Sequence, residues 1–243
     1  MEKERYIRIN KFLSEVGFCS RREADKLLEQ GRITLNGKVP ELGTKVAPTD
    51  QVAVDGKNVG KPIQNHTYIA FNKPVGIVST TDTKGEKANI IDYIRHSARI
   101  FPIGRLDKDS EGLIFLTSEG DIVNKILRAK NNHEKEYIVT VDRPVNDEFV
   151  RRMGAGIPIL DTITDFCEVA QISKFKFKII LTQGLNRQIR RMCEYLGFKV
   201  MQLKRIRIMN IHLDVPVGKW RDLTEKELAE LNSLIADSSN TID

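Results

Sequence analysis

Three short stretches of this 243-residue chain hold side chains able to do chemistry. The first is Gly104-Arg105-Leu106-Asp107-Lys108-Asp109-Ser110-Glu111-Gly112-Leu113, a charged loop between two glycines that runs into an apolar segment. A carboxylate on such a turn, beside basic neighbours, stays ionised and can act as nucleophile or base. By composition alone the same loop reads rather as a polar surface turn. The second is Gly184-Leu185-Asn186-Arg187-Gln188-Ile189-Arg190-Arg191-Met192. Ile189, Met192, Cys193 and Leu196 fall on one helical stripe, which predicts a helix with Asn186 as N-cap and Gly197 as stop. Arg187, Arg190 and Arg191 share the complementary face. Three arginines on one face repel one another unless anions lie opposite, and Asp107 can be one of them. The third is Glu134-Lys135-Glu136-Tyr137-Ile138-Val139, the start of a strand carrying a tyrosine. Such a ring either packs or stacks on a planar ligand.

Much other chemistry is excluded. The four histidines (66, 96, 133, 212) have no ligand spacing, and Cys19, Cys167 and Cys193 form no C-x-x-C. A metal site or disulfide framework is therefore not expected. No phosphate-binding glycine motif is present, so no nucleotide cofactor is expected. No apolar run is long enough to span a bilayer, and MEKERYIRIN has no apolar signal region. These features predict a protein of the cytoplasm. Net charge is +6 with 30% charged residues. From Arg187 to Arg221 nine Lys or Arg stand against two acids, the electrostatic footprint of a polyphosphate partner or a solvated basic face.

The elements that must position these groups can be read from periodicity. Ile9, Phe12, Leu13 and Val16 make a helical stripe closed by Gly17. Ser20-x-x-Glu23 is a capping box opening a second helix that ends at Gly31. Ile33 and Leu35 lead into Asn36-Gly37, a type I′ hairpin signal, and residues 50–56 read as a strand. KNVGKPIQ, residues 57–64, reads as a linker. Beyond it, strands are expected at 68–71, 113–117, 136–141, 175–181 and 206–211. Helices are expected at 89–95, 121–127, 147–153, 186–196 and 224–234. The last opens with a Thr224-x-x-Glu227 capping box. Mixed short hairpins and helices point to an α+β fold. The resulting division is 1–56, a linker at 57–65, a second domain at 66–236, and a frayed tail at 237–243.

The segment S-R-R-E-A-D-K-L-L-E-Q-G-R-I-T-L-N-G-K-V resembles the S4 RNA-binding domain along nearly its whole length. With it, Arg8, Lys11, Arg21, Arg22, Lys26 and Lys38 become candidate RNA-binding residues. Arg21 and Arg22 sit in a first helical turn, where cations are disfavoured unless a phosphate faces them. G-R-L-D-x-x-[ST]-x-G-L resembles the segment around the catalytic aspartate of pseudouridine synthases, and each fixed position is present. Lys135-x-Tyr137 and Lys73-Pro74-Val75-Gly76 are similar to two further segments of that family, the latter read as structural. Together these likenesses run from about residue 7 to 235. They identify the chain as a member of the RsuA-type pseudouridine synthases, closest to the RluF-type branch.

The resemblance implies a mixed, largely antiparallel sheet with flanking helices, and isomerisation of uridine in RNA with no cofactor. The substrate it implies is a stem-loop of 23S ribosomal RNA, with the anticodon loop of a tyrosine tRNA as a second, and the expected state is a monomer. It makes Asp107 the initiating carboxylate, Arg190 its basic partner and Tyr137 the residue that stacks on the base. Arg105 would fill the gap left by the flipped nucleotide, and Arg187 and Arg191 would face RNA phosphates. Leu185 and Arg187 replace a basic residue and a histidine common in the family, so no role attached to those positions is carried over. Alternatives are a non-catalytic S4-type RNA-binding protein, a hydrolase using Asp107 and Asp109 as a pair, and a tRNA-charging enzyme, for which no nucleotide motif is present.

Overall fold

The computed structural model describes residues 6–60, 65–128 and 131–238. Its contacts divide the chain into two units, residues 1–66 with 118–120, and residues 67–117 with 121–243.

In the first unit, β1 (Ile7–Arg8) leads into α1 (Ile9–Glu15), and α2 (Arg21–Glu29) follows. Ser20 and Glu23 form the full capping box, each side chain bonding the other's backbone nitrogen. β2 (Ile33–Leu35) turns at Asn36 and Gly37, both at positive φ, and Leu35 and Lys38 close the turn with two backbone bonds. β3 (Lys45–Val46) pairs with β1, and β4 (Val52–Val54) pairs with β2. Ile9, Leu13, Ala24, Leu28, Ile33 and Val54 form this unit's core. β5 (Lys57–Asn58) pairs with β4, so the expected linker begins with a strand. Its Val59 is the apolar residue that holds the segment on the core. Residues 61–64 of that expected linker lie outside the described residues.

The second unit is built on a nine-stranded mixed sheet. Its strands are β6 (Tyr68–Lys73), β7 (Phe101–Ile103), β8 (Glu111–Thr117), β9 (Lys135–Val141), β12 (Glu168–Ser173), β13 (Lys176–Leu181), β14 (Val200–Ile208), β15 (Ile211–His212) and β16 (Trp220–Asp222). A small hairpin, β10 (Pro158–Ile159) with β11 (Thr162–Ile163), stands apart. The main path runs β12-β13-β9-β14-β8-β6-β16, and only the β14–β8 pair is parallel. The α+β reading and the largely antiparallel sheet both hold.

Strands β6 and β8 read as continuous apolar runs because both their faces are covered. Ala70, Leu113 and Phe115 meet α4 (Asp121–Leu127) and α7 (Glu225–Leu234) on one face. Ile69, Phe71, Ile114 and Leu116 meet α3 (Ile90–Ile94) on the other. Helices α5 (Asp147–Gly154) and α6 (Gln188–Tyr195) cover β9, β13 and β14, with Phe149, Met153, Ile189, Met192 and Phe177 in a second core. Thr224 and Glu227 form the second capping box.

Three expectations need correction. The strand expected at 206–211 is two: β14 ends at Ile208, and a turn at Met209 (φ 52°) and Asn210 brings β15 back antiparallel to it. The segment after Ala236 is not all frayed, since Ser238 Oγ lies 2.9 Å from His133 Nε2; residues 239–243 lie outside the described residues. The helix expected at 186–196 starts two residues later, and its cap is Arg187 in the left-handed region (φ 49°), not Asn186. Among the described residues no helix is long and apolar enough to cross a membrane.

Candidate active site

The Asp107 loop connects β7 to β8 and is clamped from several sides. Ser79, buried and not anticipated from the sequence, bonds the backbone on both sides of Leu106's peptide. Its Oγ donates to Leu106 O at 2.9 Å and accepts from Leu106 N at 3.1 Å. Gly76 N donates to Lys108 O at 2.7 Å, which ties the Lys73–Gly76 segment to the loop. Ser110 N donates to Asp107 O, closing the turn that carries the acid. Gly112 follows because nothing larger fits: at φ +111° a Cβ there would sit 2.2 Å from Arg205 O on the parallel strand β14.

The start of α6 brings two arginines onto this loop. Arg187 donates to both oxygens of Asp109 at 3.1 and 3.2 Å and stands 3.5 Å from Asp107 Oδ2. Arg190, with its side chain only 13% exposed, donates to Asp109 O at 2.8 Å and Ser110 Oγ at 3.1 Å. Its Nε has no hydrogen-bond partner and lies 3.9 Å from Asp107 Oδ2. The bidentate Arg187 fork holds the Asp109 carboxyl below its ordinary range, against the opposing effect of burial. Asp109 is therefore engaged as an anchor, which leaves the hydrolase reading without its second carboxylate. Arg191 turns away, bonding Asn186 O and Oδ1 at 3.1 and 3.3 Å.

A cavity of about 500 Å³ opens beside the loop. Asp107 and Arg105 line it together with Tyr137 and Lys135 from β9, Arg205 from β14 and Arg187 from α6. Leu106, Leu181, Ile189 and Leu203 supply apolar wall. Asp107 is half-buried and Arg105 exposed, an acid in the cleft with a cation at its mouth. Such a space suits a flat base between a ring and aliphatic side chains. Lys73, at the end of β6, is fully buried, bonds Pro74 O and Ile77 O, and feels the fields of Asp107 and Asp109. Burial nevertheless pushes its ammonium down to about 8.

The Arg187–Arg221 run does not form one open basic surface. Lys204 meets Glu111, Arg207 meets Glu134 and Glu136, and Arg221 meets Asp214 and Glu227. Arg205 is buried. Charge counted along the sequence missed most of these pairings because Glu111, Glu134, Glu136 and Glu227 lie outside the run, on or beside β8, β9 and α7. In the first unit Arg8, Arg21, Arg22, Lys26 and Lys38 are exposed, and Lys11 stands 3.4 Å from Glu15.

The model of RNA pseudouridylate synthases matches residues 67–195, more than half of the chain. The chain belongs to the RNA pseudouridylate synthase family. The S4 domain model matches residues 7–52, ahead of it. The chain is 58% identical over 236 residues to the dual-specificity RNA pseudouridine synthase RluF of Escherichia coli O157:H7, covering 96% of this chain and 81% of that one. It is 34% identical over 243 residues to the ribosomal large subunit pseudouridine synthase B of Bacillus subtilis, covering 96% and 98%. A crystal structure of a pseudouridylate synthase superposes with a TM-score of 0.68 at 26% identity, covering 93% of this chain and 99% of that one. The chain is thus an S4-bearing, RluF-like RNA pseudouridine synthase, and the non-catalytic alternative falls away.

Proposed function

We propose that this enzyme isomerises one uridine in a stem-loop of 23S ribosomal RNA and a second in the anticodon loop of a tyrosine tRNA, acting as a monomer in the cytoplasm. The observation that carries this reading is 58% identity to a dual-specificity RluF over 96% of the chain. The site chemistry supports it. Asp107 initiates, as a nucleophile at C1′ or as a base on the ribose. Arg190 and Arg187, within 4 Å of its carboxylate, hold it in place. Tyr137 stacks on the extruded base and assists removal of the C5 proton, while Arg105 braces the gap left in the RNA. No atoms are gained and no electrons leave, so the reaction calls for no electron carrier. The exposed Arg8, Arg21, Arg22, Lys26 and Lys38 of the S4 unit contribute phosphate contacts, with Lys11 beside them.

The test is a map of pseudouridine in total RNA from cells with and without the gene. Loss of one site in 23S rRNA and one in tyrosine tRNA is expected. A single lost site removes the dual assignment, and unchanged RNA removes the whole reading.

A further inference from the structure

Two buried cations in the cavity have no task in the chemistry above. Arg205 is 5% exposed and Lys135 7% exposed, and both line the cavity. Arg205 sits opposite Tyr137 in the β14–β9 register, its guanidinium carbon 6.0 Å from the centre of the tyrosine ring. Its Nε donates to Leu113 O at 2.6 Å, and one terminal nitrogen is buried with no hydrogen-bond partner. Lys135 lies two residues before Tyr137, on the same face of β9. Its Nζ donates to His133 O and Thr182 O, which leaves one of three ammonium donors.

Among the described residues neither cation has a carboxylate within 4 Å, in contrast to Arg187, Arg190, Arg207 and Arg221. Burying two like charges side by side without a counter-ion is costly. The arrangement becomes favourable when an anion enters the cavity, and donors fixed before it forms need no reorganisation.

The reaction generates such an anion. When N1–C1′ breaks, its electron pair stays with the base, and the uracil carries a negative charge spread over N1, O2 and O4. C1′ is then bonded to an oxygen of Asp107 or, if Asp107 has taken the C2′ proton, doubly bonded to C2′. The base turns, C5 bonds to C1′, and the carboxylate leaves or returns its proton to C2′. The C5 proton is then lost and N1 regains a proton. Through the turn the base is held by no covalent bond.

We propose that Arg205 and Lys135 bind the detached uracil as an anion, Arg205 at the edge of the base stacked on Tyr137 and Lys135 along the same rim, so that it turns without leaving the cavity. This inference rests on the pseudouridine synthase reading. A 5-fluorouracil anion, stabilised by its own fluorine, depends less on external cations, which gives a readout that a purely structural role does not move.

The experiment uses the full-length enzyme and transcripts of 23S rRNA and tyrosine tRNA made with either UTP or 5-fluoro-UTP. Single-turnover formation of the C-nucleoside is followed by nuclease digestion and chromatography; on the fluorinated transcript C5 keeps its fluorine, and the C6=N1 bond left after C5 bonds to C1′ takes up water. Arg205→Met is expected to slow the uridine transcript about 100-fold and the fluorinated one only about 10-fold, each tenfold step being about 1.4 kcal/mol of barrier. Lys135→Met should show the same direction more weakly, and Arg205→Lys should stay within about tenfold on both. Equal losses on the two transcripts, or weakened RNA binding with an unchanged rate at saturation (a phosphate ligand), overturn the proposal. If circular dichroism shows Arg205→Met unfolded, Lys135→Met carries the same comparison. A wild-type enzyme inactive on both transcripts refutes the parent reading instead.

Discussion

Arg187 reaches back 78 residues in sequence to grip Asp109 with two hydrogen bonds of 3.1 and 3.2 Å, while the same guanidinium stands 3.5 Å from Asp107. One arginine thus ties the start of α6 to the loop that carries both aspartates. Its left-handed backbone (φ 49°) aims it there, where an ordinary helical residue would continue the solvent face.

From that geometry, Asp109→Asn and Arg187→Ala should each lower the single-turnover rate by about tenfold, and the double variant should be no slower than either alone. Because the pair is exposed, its effect on folding stability should stay within about 1 kcal/mol. Rates that multiply in the double variant exclude the pair as a unit.

Asp107→Asn should abolish turnover by about 10²–10⁴-fold or more while RNA affinity changes by less than about threefold. Asparagine keeps the size of the side chain but neither attacks as a carboxylate nor accepts a proton at neutral pH. The loss belongs in the chemical step, because phosphate contacts elsewhere carry most of the affinity. Filter binding beside single-turnover kinetics separates the two, and a matched fall in affinity overturns the assignment.

Neutralising Arg21 and Arg22 to Gln should weaken RNA binding and flatten its dependence on salt by up to about two units of slope, since each phosphate contact contributes about 0.9. The saturated rate should not move. An unchanged slope across a salt titration removes these residues from the interface.

How much of this was readable beforehand depended on whether the cause was local. The capping boxes at Ser20/Glu23 and Thr224/Glu227, the Asn36-Gly37 turn and the apolar β8 all follow from neighbours within a few positions. Trp220–Asp222 did not, because this short, partly exposed strand exists only through pairing with Ile69–Phe71, about 150 residues earlier. Phe101–Ile103 carries a proline, and Glu168–Ser173 is a largely exposed edge strand without clean alternation. The resemblance pointed to Asp107, Tyr137 and Arg190. Lys73 was read only as part of a structural segment, and Ser79 and Arg205 gave no sign of a place at the site, because burial of a polar side chain among strands is a tertiary event. Arg187 was expected to face RNA phosphates, with no family role carried over to it, and it grips the Asp109 carboxylate instead.

Gly112→Ala should destabilise the enzyme by about 3 kcal/mol or more, because the added methyl meets Arg205 O and N at 2.2 and 2.7 Å and the residue sits at φ +111°. The strain falls where β8 and β14 run parallel, so Arg205 should be displaced along with the backbone. Urea unfolding measures the first effect. The second predicts a rate loss in the fraction that remains folded, and a variant as stable as wild type contradicts the close approach.

Lys73 offers a test through pH. Burial lowers its ammonium from 10.5 to about 8, although Asp107 and Asp109 oppose the shift. Below pH 8 both folded and unfolded chains hold the proton, and the folded state bears the cost of a buried charge. Between pH 8 and 10.5 the unfolded chain keeps a proton that the folded chain has lost, so stability from this group rises with pH across that window. Measured against Lys73→Met, whose own penalty for leaving Pro74 O and Ile77 O without a donor does not vary with pH, wild type should gain about 2–3 kcal/mol from pH 7.5 to 10.5. Paired urea titrations at several pH values supply the difference. A gap that stays flat or shrinks over this range shows that Lys73 reaches solvent, or that the two aspartates hold its charge fully.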